Sequence, residues 1–368
     1  MNEGRRSDKT LVFVVLALMI IGAVMVASAG VLYAQTRFGD EYFFLKRQII
    51  FGILPGTVLM LFLAKYDYHK LGQKAFWLFA LSIVLLVLVF IPGIGAEIYG
   101  ANRWIRIGPL SFQPSEMAKL TLMIYLAAWL ASKGKKRIQD MTEGLTPFVV
   151  ILGIASILIL LQPDTGTLGV IVLASLAVYF VSGARMSHVI AIVFAGCLAL
   201  VMLIKIAPYR MNRFLVFLNP DLDPSGIGYQ INQAFLALGS GGLFGLGLGH
   251  SRQKFNYLPE PVGDSIFAII GEELGMIGAI VIISLFVVLA VRGYRIAQKA
   301  PDEFGRLMCV GIVSLIVFQA FTNIGAIVGI IPFTGIPLPF ISYGGTSLVF
   351  MLAGVGILLN VSRQTKLE

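Results

Sequence analysis

The chain has 368 residues, of which 58% are hydrophobic and 13% are charged, and its mean hydropathy is +0.89. Soluble globular proteins average about 45–50% apolar and about 25% charged residues, so this composition excludes a soluble enzyme and also a disordered or fibrous chain. Two cysteines exclude a disulfide scaffold, which leaves an all-α polytopic membrane protein.

Ten segments are long and apolar enough for a spanning helix, which needs roughly 20 mostly apolar residues. The predicted spans are about 9–33, 47–64, 73–91, 115–132, 145–162, 167–183, 187–207, 264–291, 307–331 and 338–361. The first span is too long for a cleaved signal peptide, and no small-residue cleavage site followed by a soluble domain comes after it. We expect a single transmembrane domain over residues 1–368, with both termini on one side and long loops at about 92–114 and 208–263 on the other.

Basic residues are concentrated on the side that carries the termini. That side holds 17 of the 28 Lys and Arg residues and 8 of the 19 acids, so it carries the whole formal charge of +9. An excess of Lys and Arg in short loops marks the cytoplasmic side. The termini are therefore predicted to be cytoplasmic, and the basic balance requires no nucleic-acid partner. The opposite side is neutral but carries 22 charged residues, and we interpret it as the functional face.

The first long outer stretch begins with two arginines. Arg103 and Arg106 flank Trp104, and they are followed by a predicted turn at Gly108–Pro109. Arginine binds phosphate through two parallel hydrogen bonds, and tryptophan favours the membrane–water boundary. This segment is interpreted either as a site for an anionic head group or as arginines that extend to the interface without a ligand.

A helix start follows in the same stretch. Ser115 is a candidate N-cap, and Glu116 is placed near the positive end of the helix dipole. Lys119 lies three residues after Glu116, so the two side chains share a face and can pair. A pair that neutralises itself is the alternative to a role in binding.

Two further loops carry polar residues. Gln162 to Thr167 form a predicted tight turn, in which Asp164 either caps the next helix or has a catalytic role. The glycine-rich stretch 239–249 lacks the features of a phosphate-binding loop. Its glycines permit close backbone approach to a ligand or to another helix.

Four carboxylates lie within fourteen residues, namely Glu260, Asp264, Glu272 and Glu273. Asp264 is placed where an outer loop enters the membrane, and Glu272 lies eight residues on, about two helical turns, so it is expected on the same face. Carboxylates at membrane depth are costly and are candidates for function. The alternative is that Asp264 caps the helix while Glu272 and Glu273 pair with a basic residue elsewhere.

A return loop rich in proline and glycine spans residues 332–347. Non-helical backbone at membrane depth requires neighbouring protein or a watery cavity. Ser342, Tyr343 and Thr346 are therefore predicted to line a cavity, and a purely structural kink is the alternative. No His or Cys spacing resembles a zinc site or a Cys–His nucleophile pair.

Together these motifs resemble the SEDS family of bacterial cell-wall proteins, named for shape, elongation, division and sporulation. The matching strings are ANRWIRIGPLSFQPSEMAKL, QPDTGTLGV, GYQINQAFLALGSGGLFGLGLG, YLPEPVGDSIFAIIGEELG and PLPFISYGGTS. Each string is modestly specific, and all five in the family's order on ten spans are highly specific. Within the family, GSGGLFGLGLG and IIGEELG resemble the division branch, FtsW, more than the elongation branch, RodA.

The resemblance implies a peptidoglycan glycosyltransferase in the bacterial cytoplasmic membrane. Such proteins polymerise lipid II, a disaccharide-pentapeptide on undecaprenyl diphosphate, at the outer face. Asp264 matches the acid regarded as catalytic, although Val262–Gly263 stand where the family commonly has His-Thr. The implied partners are lipid II, the undecaprenyl-diphosphate-linked glycan, a class B penicillin-binding transpeptidase and other divisome proteins.

The expected mechanism makes Asp264 the general base for the acceptor hydroxyl, or a ligand of a divalent cation, Mg²⁺ or Mn²⁺. The predicted phosphate-binding groups are Arg103, Arg106 and Lys119, and the acids expected to orient or neutralise them are Glu116, Glu260 and Glu272. Gln162, Asp164, Ser342 and Tyr343 complete the predicted substrate-binding set.

Other readings are a lipid II flippase, a scaffold that recruits a synthase, and an elongation-type polymerase. A transporter places substrate groups near the midplane with a path to both sides, whereas here the charge balance favours chemistry at the outer surface.

Overall fold

The computed structural model describes residues 7–98, 101–108, 110–223, 225–255 and 257–365. Five terminal residues counted in the charge bias lie outside this range, namely Glu3, Arg5, Arg6, Lys366 and Glu368. Pro109 of the predicted turn also lies outside it, and the turn is described only at Gly108, whose φ is 60°.

The described chain is helical apart from one small sheet. The helices are α1 (Lys9–Phe38), α2 (Phe43–Gln48), α3 (Leu54–Leu63), α4 (Tyr68–Leu88), α5 (Pro114–Lys133), α6 (Lys135–Ile138), α7 (Thr146–Leu161), α8 (Thr165–Val181), α9 (Met186–Ile206), α10 (Pro208–Leu218), α11 (Ile227–Gly241), α12 (Ile266–Gln298), α13 (Glu303–Ile327) and α14 (Gly345–Gln364). Single π-helical turns join α2 to α3 (Ile49–Ile53) and begin the span that contains α7 (Met141–Leu145). The strands are β1 (Gly95–Ile98), β2 (Ala101–Ile107) and β3 (Leu110–Phe112).

Most of the predicted spans coincide with long apolar helices. Eight in the described chain are long and apolar enough to cross a membrane: Lys9–Phe38, Phe43–Leu63, Tyr68–Leu88, Met141–Leu161, Met186–Ile206, Ile266–Gln298, Glu303–Ile327 and Gly345–Gln364. The other two predicted spans fall on α5, which carries a buried ion pair, and on α8, which has 17 residues. The chain is an all-α multi-pass membrane protein, and the total of ten spans stays a prediction.

Loops predicted for the same membrane face contact one another. On the predicted cytoplasmic face, Arg292 donates to the carboxylate of Asp8 at 2.7 Å, which joins two helix ends that are far apart in sequence. On the predicted outer face, Thr346 at the start of α14 donates to the carbonyl oxygen of Ser111 in β3 at 3.0 Å. The up-and-down order of the helices therefore agrees with the charge-based assignment of faces.

Helices α13 and α14 occupy the centre of the bundle. In each of them 78% of the most apolar window is buried, against 22–44% for most of the other apolar spans of the described chain. Helix α13 packs on α5, α8 and α12, and α14 packs closely on α3. A Cβ atom at Gly356 of α14 would lie 2.5 Å from the carbonyl oxygen of Met60, so only glycine permits this approach.

The loop between α4 and α5 folds into a three-stranded antiparallel sheet, in the order β1-β2-β3. Ile105 lies opposite Gly95 on one side and opposite Phe112 on the other. Its side chain is buried, whereas that of the next residue, Arg106, is exposed. This sheet was not predicted from the sequence, and it covers the outer end of α14.

The glycine-rich stretch 239–249 packs against an interruption in α12. At Gly275 the backbone leaves the helical conformation, with φ 67° and ψ −168°. Met276 donates its N–H to the carbonyl oxygen of Gly242 at 2.9 Å, and Leu246 donates to that of Glu272 at 2.9 Å. The glycines thus serve close approach to another helix, and the exchanged hydrogen bonds satisfy groups that the interruption leaves open.

Candidate active site

Asp264 lies in a turn that immediately precedes α12, on the predicted outer face. The helix begins at Ile266, its N-cap residue is Ser265, and the Asp264 side chain is partly buried. The expectation that Asp264 and Glu272 share a helical face is therefore wrong, because Asp264 is not part of the helix. The helix-capping alternative for Asp264 also does not apply, since the cap position falls one residue later.

The backbone around Asp264 is held from two directions. Asn323 of α13 donates from Nδ2 to the main-chain oxygen of Asp264 at 2.8 Å. Ser342 of the return loop donates from its hydroxyl to the main-chain oxygen of Gly263 at 2.8 Å. These bonds fix the turn through its backbone and leave the carboxylate available.

The carboxyl group of Asp264 is a weaker acid than an ordinary aspartic acid side chain. Burial raises its pKa to about 7, and the nearby charge of Glu260 adds to this increase. The hydroxyl of Ser265, 3.4 Å from Oδ1, and the charge of Arg213 act in the opposite direction. A carboxylate with a pKa near the working pH is well suited to accept a proton from a hydroxyl group.

Arg213 of α10 was not identified from the sequence. Burial lowers the pKa of its guanidinium, while the charges of Asp264 and Asp164 act to raise it and that of Arg103 to lower it. Arg213 is therefore the group on which the charges of Asp264, Asp164 and Arg103 all act. The only sequence signal for Arg213 is its position among the charged residues of the second long outer loop.

Arg103 joins the sheet to the turn between α7 and α8. It donates from Nε to the main-chain oxygen of Gln162 at 2.8 Å and from Nη2 to that of Pro163 at 2.6 Å. Asp164 accepts from the N–H of Thr167 at 3.2 Å and caps α8, as one of the two interpretations predicted. Gln162 and Asp164 are buried beneath the sheet, whereas Arg106 is exposed.

Glu116 and Lys119 form the predicted pair, at 2.9 Å, with both side chains almost fully buried. Lys119 also donates to Oε1 of Gln319 at 2.6 Å, so its ammonium group is committed to two partners inside the bundle. The prediction that Ser115 caps this helix is wrong, because α5 begins at Pro114 and its N-cap is Gln113, two residues before Ser115. Pro114 fits the first helical position because its missing N–H has no partner there in any case.

Two of the four clustered carboxylates lie apart from Asp264. Glu272 is buried and accepts from the hydroxyl of Ser251 and from the N–H of Arg252, the latter at 2.8 Å. Glu273 pairs with Lys254 at 2.9 Å. Both acids anchor the loop that leads to Asp264. The structure does not pair either of them with Arg103, Arg106 or Arg213.

Glu260 remains on the Asp264 side of that loop. Its side chain is partly buried, and its backbone has a φ of 50°, in the left-handed region that few non-glycine residues adopt. The turn thus folds back so that the charge of Glu260 acts on Asp264.

Tyr343 and Thr346 line a cavity of about 470 Å³ between α3, α14 and the sheet, as predicted. Arg47 stands among the other lining residues. Ser342 does not line this cavity, and its hydroxyl instead donates to Gly263. The return loop therefore supports the Asp264 turn on one side and forms a cavity wall on the other.

The residues described offer no group of three or more His, Cys, Asp or Glu side chains that could hold a metal ion by themselves. Asp264 and Glu260 are the acids that act on one another at this site. One or two carboxylates suit Mg²⁺, which takes its remaining ligands from waters and substrate phosphates.

Comparison with known proteins places the chain in a family. Residues 8–367 match the FtsW/RodA/SpoVE family, described as cell cycle protein. Stage V sporulation protein E of Bacillus subtilis (strain 168) is 46% identical, over 98% of each chain. The probable peptidoglycan glycosyltransferase FtsW of Geobacter metallireducens is 42% identical, over 100% of this chain and 97% of that protein.

Solved structures agree with this assignment. One solved structure aligns with a TM-score of 0.79 and 30% identity, over 98% of this chain and 99% of that chain. It is described as "Structural coordination of polymerization and crosslinking by a peptidoglycan synthase complex". The rod shape determining protein RodA of Thermus thermophilus aligns with a TM-score of 0.72 and 30% identity, over 98% of both chains. The chain belongs to the SEDS family, which includes FtsW, RodA and SpoVE.

Proposed function

We infer that the chain is a peptidoglycan glycosyltransferase that polymerises lipid II at the outer face of the bacterial cytoplasmic membrane. The observation that carries this inference is Asp264, a carboxylate of raised pKa that is fixed through its backbone and acted on by the charge of Arg213. Relatives named as peptidoglycan glycosyltransferases and the structural likeness to a peptidoglycan synthase complex support the reaction class.

In the proposed reaction, Asp264 accepts the proton of the 4-hydroxyl on the GlcNAc of lipid II. The freed oxygen forms a bond to the anomeric carbon of the growing glycan, and the bond from that carbon to undecaprenyl diphosphate breaks. The diphosphate leaves with the bonding electrons. We expect Arg213 to provide positive charge for that group, because its charge acts on Asp264. Arg103 and Arg106 of the outer sheet are further candidates, although Arg103 already donates to two main-chain oxygens.

The alternative role that we propose for Asp264, in place of the base, is to hold a divalent cation, Mg²⁺ or Mn²⁺, together with substrate oxygens. When bound, it would neutralise charge on the leaving diphosphate. Lys119 contributes less directly, because Glu116 and Gln319 already occupy its ammonium group. The role of Glu272 is to hold the outer loop at Ser251 and Arg252.

The proposal is tested with purified protein and fluorescent lipid II, alone and with its transpeptidase partner, across a titration of Mg²⁺, Mn²⁺ and EDTA. Glycan chains are expected, with a rate that depends on the cation. Transfer of lipid II across liposome membranes without any polymer would overturn the proposal in favour of a flippase. A rate of polymer formation that is unchanged in EDTA would contradict the proposed role of the cation.

Glu260→Gln is expected to shift the pH dependence of polymerisation. The charge of Glu260 helps to raise the pKa of Asp264, so its removal lowers that pKa. The base form of Asp264 then persists to lower pH, and the acidic limb of the rate profile moves toward acid. The measurement is the initial rate between pH 5 and 9 for both proteins, and an unchanged acidic limb would contradict the assignment.

We propose a division-type role with a class B penicillin-binding transpeptidase and other divisome proteins as partners. The identities of 42% and 43% to relatives named FtsW support division over elongation. The 46% identity to a stage V sporulation protein favours sporulation as a second role. Complementation of strains depleted of each function separates these roles.

A further inference from the structure

Helix α13 carries two buried amide side chains one turn apart, Gln319 and Asn323, which are 1% and 2% exposed. Their spacing of four residues places them on one face of the helix. That face is turned toward the return loop and toward the turn that holds Asp264. Neither residue was singled out by any sequence motif.

Both amides bind the backbone of the return loop. Gln319 donates from Nε2 to the main-chain oxygen of Pro337 at 3.0 Å. Asn323 donates from Nδ2 to the main-chain oxygen of Ile336 at 2.8 Å and to that of Asp264 at 2.8 Å. The two hydrogens of one Asn323 amide thus tie the return loop and the Asp264 turn to the same point on α13.

The orientation of Gln319 is fixed from behind. Its Oε1 accepts from the ammonium of Lys119 at 2.6 Å, and Lys119 is itself paired with Glu116. Because an ammonium group can only donate, the amide of Gln319 must turn its own donors toward Pro337. The buried ion pair on α5 is thereby connected to the loop that supports the active site.

We propose that Gln319 and Asn323 are positioning residues that hold Asp264 at the correct distance from its substrate. The proposal rests on the proposed glycosyltransferase function. Both amides donate to main-chain oxygens, so both act through the backbone. An error of about 1 Å in the placement of a catalytic group can cost about 10²-fold in rate.

The test measures kcat and KM for lipid II per amount of folded, monodisperse protein. Asn323→Asp keeps the size of the side chain and removes both donors, and Asn323→Ala removes them without adding a charge. We expect kcat to fall about 10–100-fold in either variant, with KM changed less than twofold. Gln319→Glu keeps a partner for Lys119 but loses the donor to Pro337, and we expect a smaller fall in kcat.

Ser314→Ala is the matched control on the same helix. Ser314 is fully buried and hydrogen-bonded to Tyr294 at 3.0 Å, away from the return loop. It is expected to lower the Tm while leaving kcat within twofold of the parent. The proposal is overturned if both Asn323 variants keep kcat within threefold, if they change KM alone, or if Ser314→Ala loses as much kcat. A parent protein that stays inactive together with its transpeptidase partner would instead refute the proposed function itself.

Discussion

Asp264→Asn is expected to lower the rate of lipid II polymerisation by about 10²–10⁴-fold, the range that general base catalysis contributes. The amide keeps the size of the carboxylate and cannot accept the proton of the acceptor hydroxyl. The backbone bonds from Asn323 and Ser342 do not involve the substituted group, so the turn is expected to keep its shape. The measurement is the initial rate of glycan formation with saturating lipid II.

Asp221→Asn provides the matched control, because Asp221 is an exposed acid in the same outer loop. It is expected to polymerise at the parental rate. The parental enzyme itself should gain activity as the pH rises through about 7, where Asp264 loses its proton, and should lose it below that value. A parental rate in Asp264→Asn would remove Asp264 from the role of base.

Glu273→Gln is expected to lower the free energy of unfolding by about 3–5 kcal/mol, the cost of removing one partner of a buried ion pair. Glu273 is fully buried, and its carboxylate accepts from Lys254 at 2.9 Å and from Ser28 at 2.8 Å. The substitution leaves the ammonium of Lys254 buried without its counter-charge. Thermal unfolding in detergent measures the effect.

An exposed ion pair of similar length is the control. Glu303 and Arg306 on α13 lie 3.1 Å apart, and both side chains are 44% exposed. Glu303→Gln is expected to change the free energy of unfolding by less than about 1 kcal/mol. Combining Glu273→Gln with Lys254→Met should recover part of the loss. If Glu273→Gln and Glu303→Gln lowered the free energy of unfolding equally, burial would not be what makes the Glu273–Lys254 pair important.

Features that follow from composition or from contacts between residues close in sequence were predicted correctly. Apolar runs near 20 residues located the helices, and the excess of Lys and Arg grouped the loops that contact one another. The short spacing between Glu116 and Lys119 was enough to predict their pair, because helix geometry alone brings them together. Asp164 likewise caps α8 through a contact only three residues away.

Features that depend on long-range packing were missed or misplaced. Asn323 reaches Asp264 across 59 residues, and no local pattern specifies that contact. Glu272 was placed with Asp264 because a continuous helix was assumed, whereas the chain turns before Ile266. The sheet was the exception, since Trp104, Ile105 and Ile107 are aromatic or β-branched residues typical of strands, and this local signal was overlooked.

The interruption of α12 at Gly275 bears on how the polypeptide is integrated into the bilayer during synthesis. Backbone groups that face hydrocarbon without a partner cost several kcal/mol each. The groups opened at this point find their partners in residues 242–247, on a segment that is made earlier. The backbone of α12 near Gly275 is fully hydrogen-bonded only after the glycine-rich stretch has docked on it. We therefore expect residues 239–277 to leave the insertion machinery as one preassembled unit.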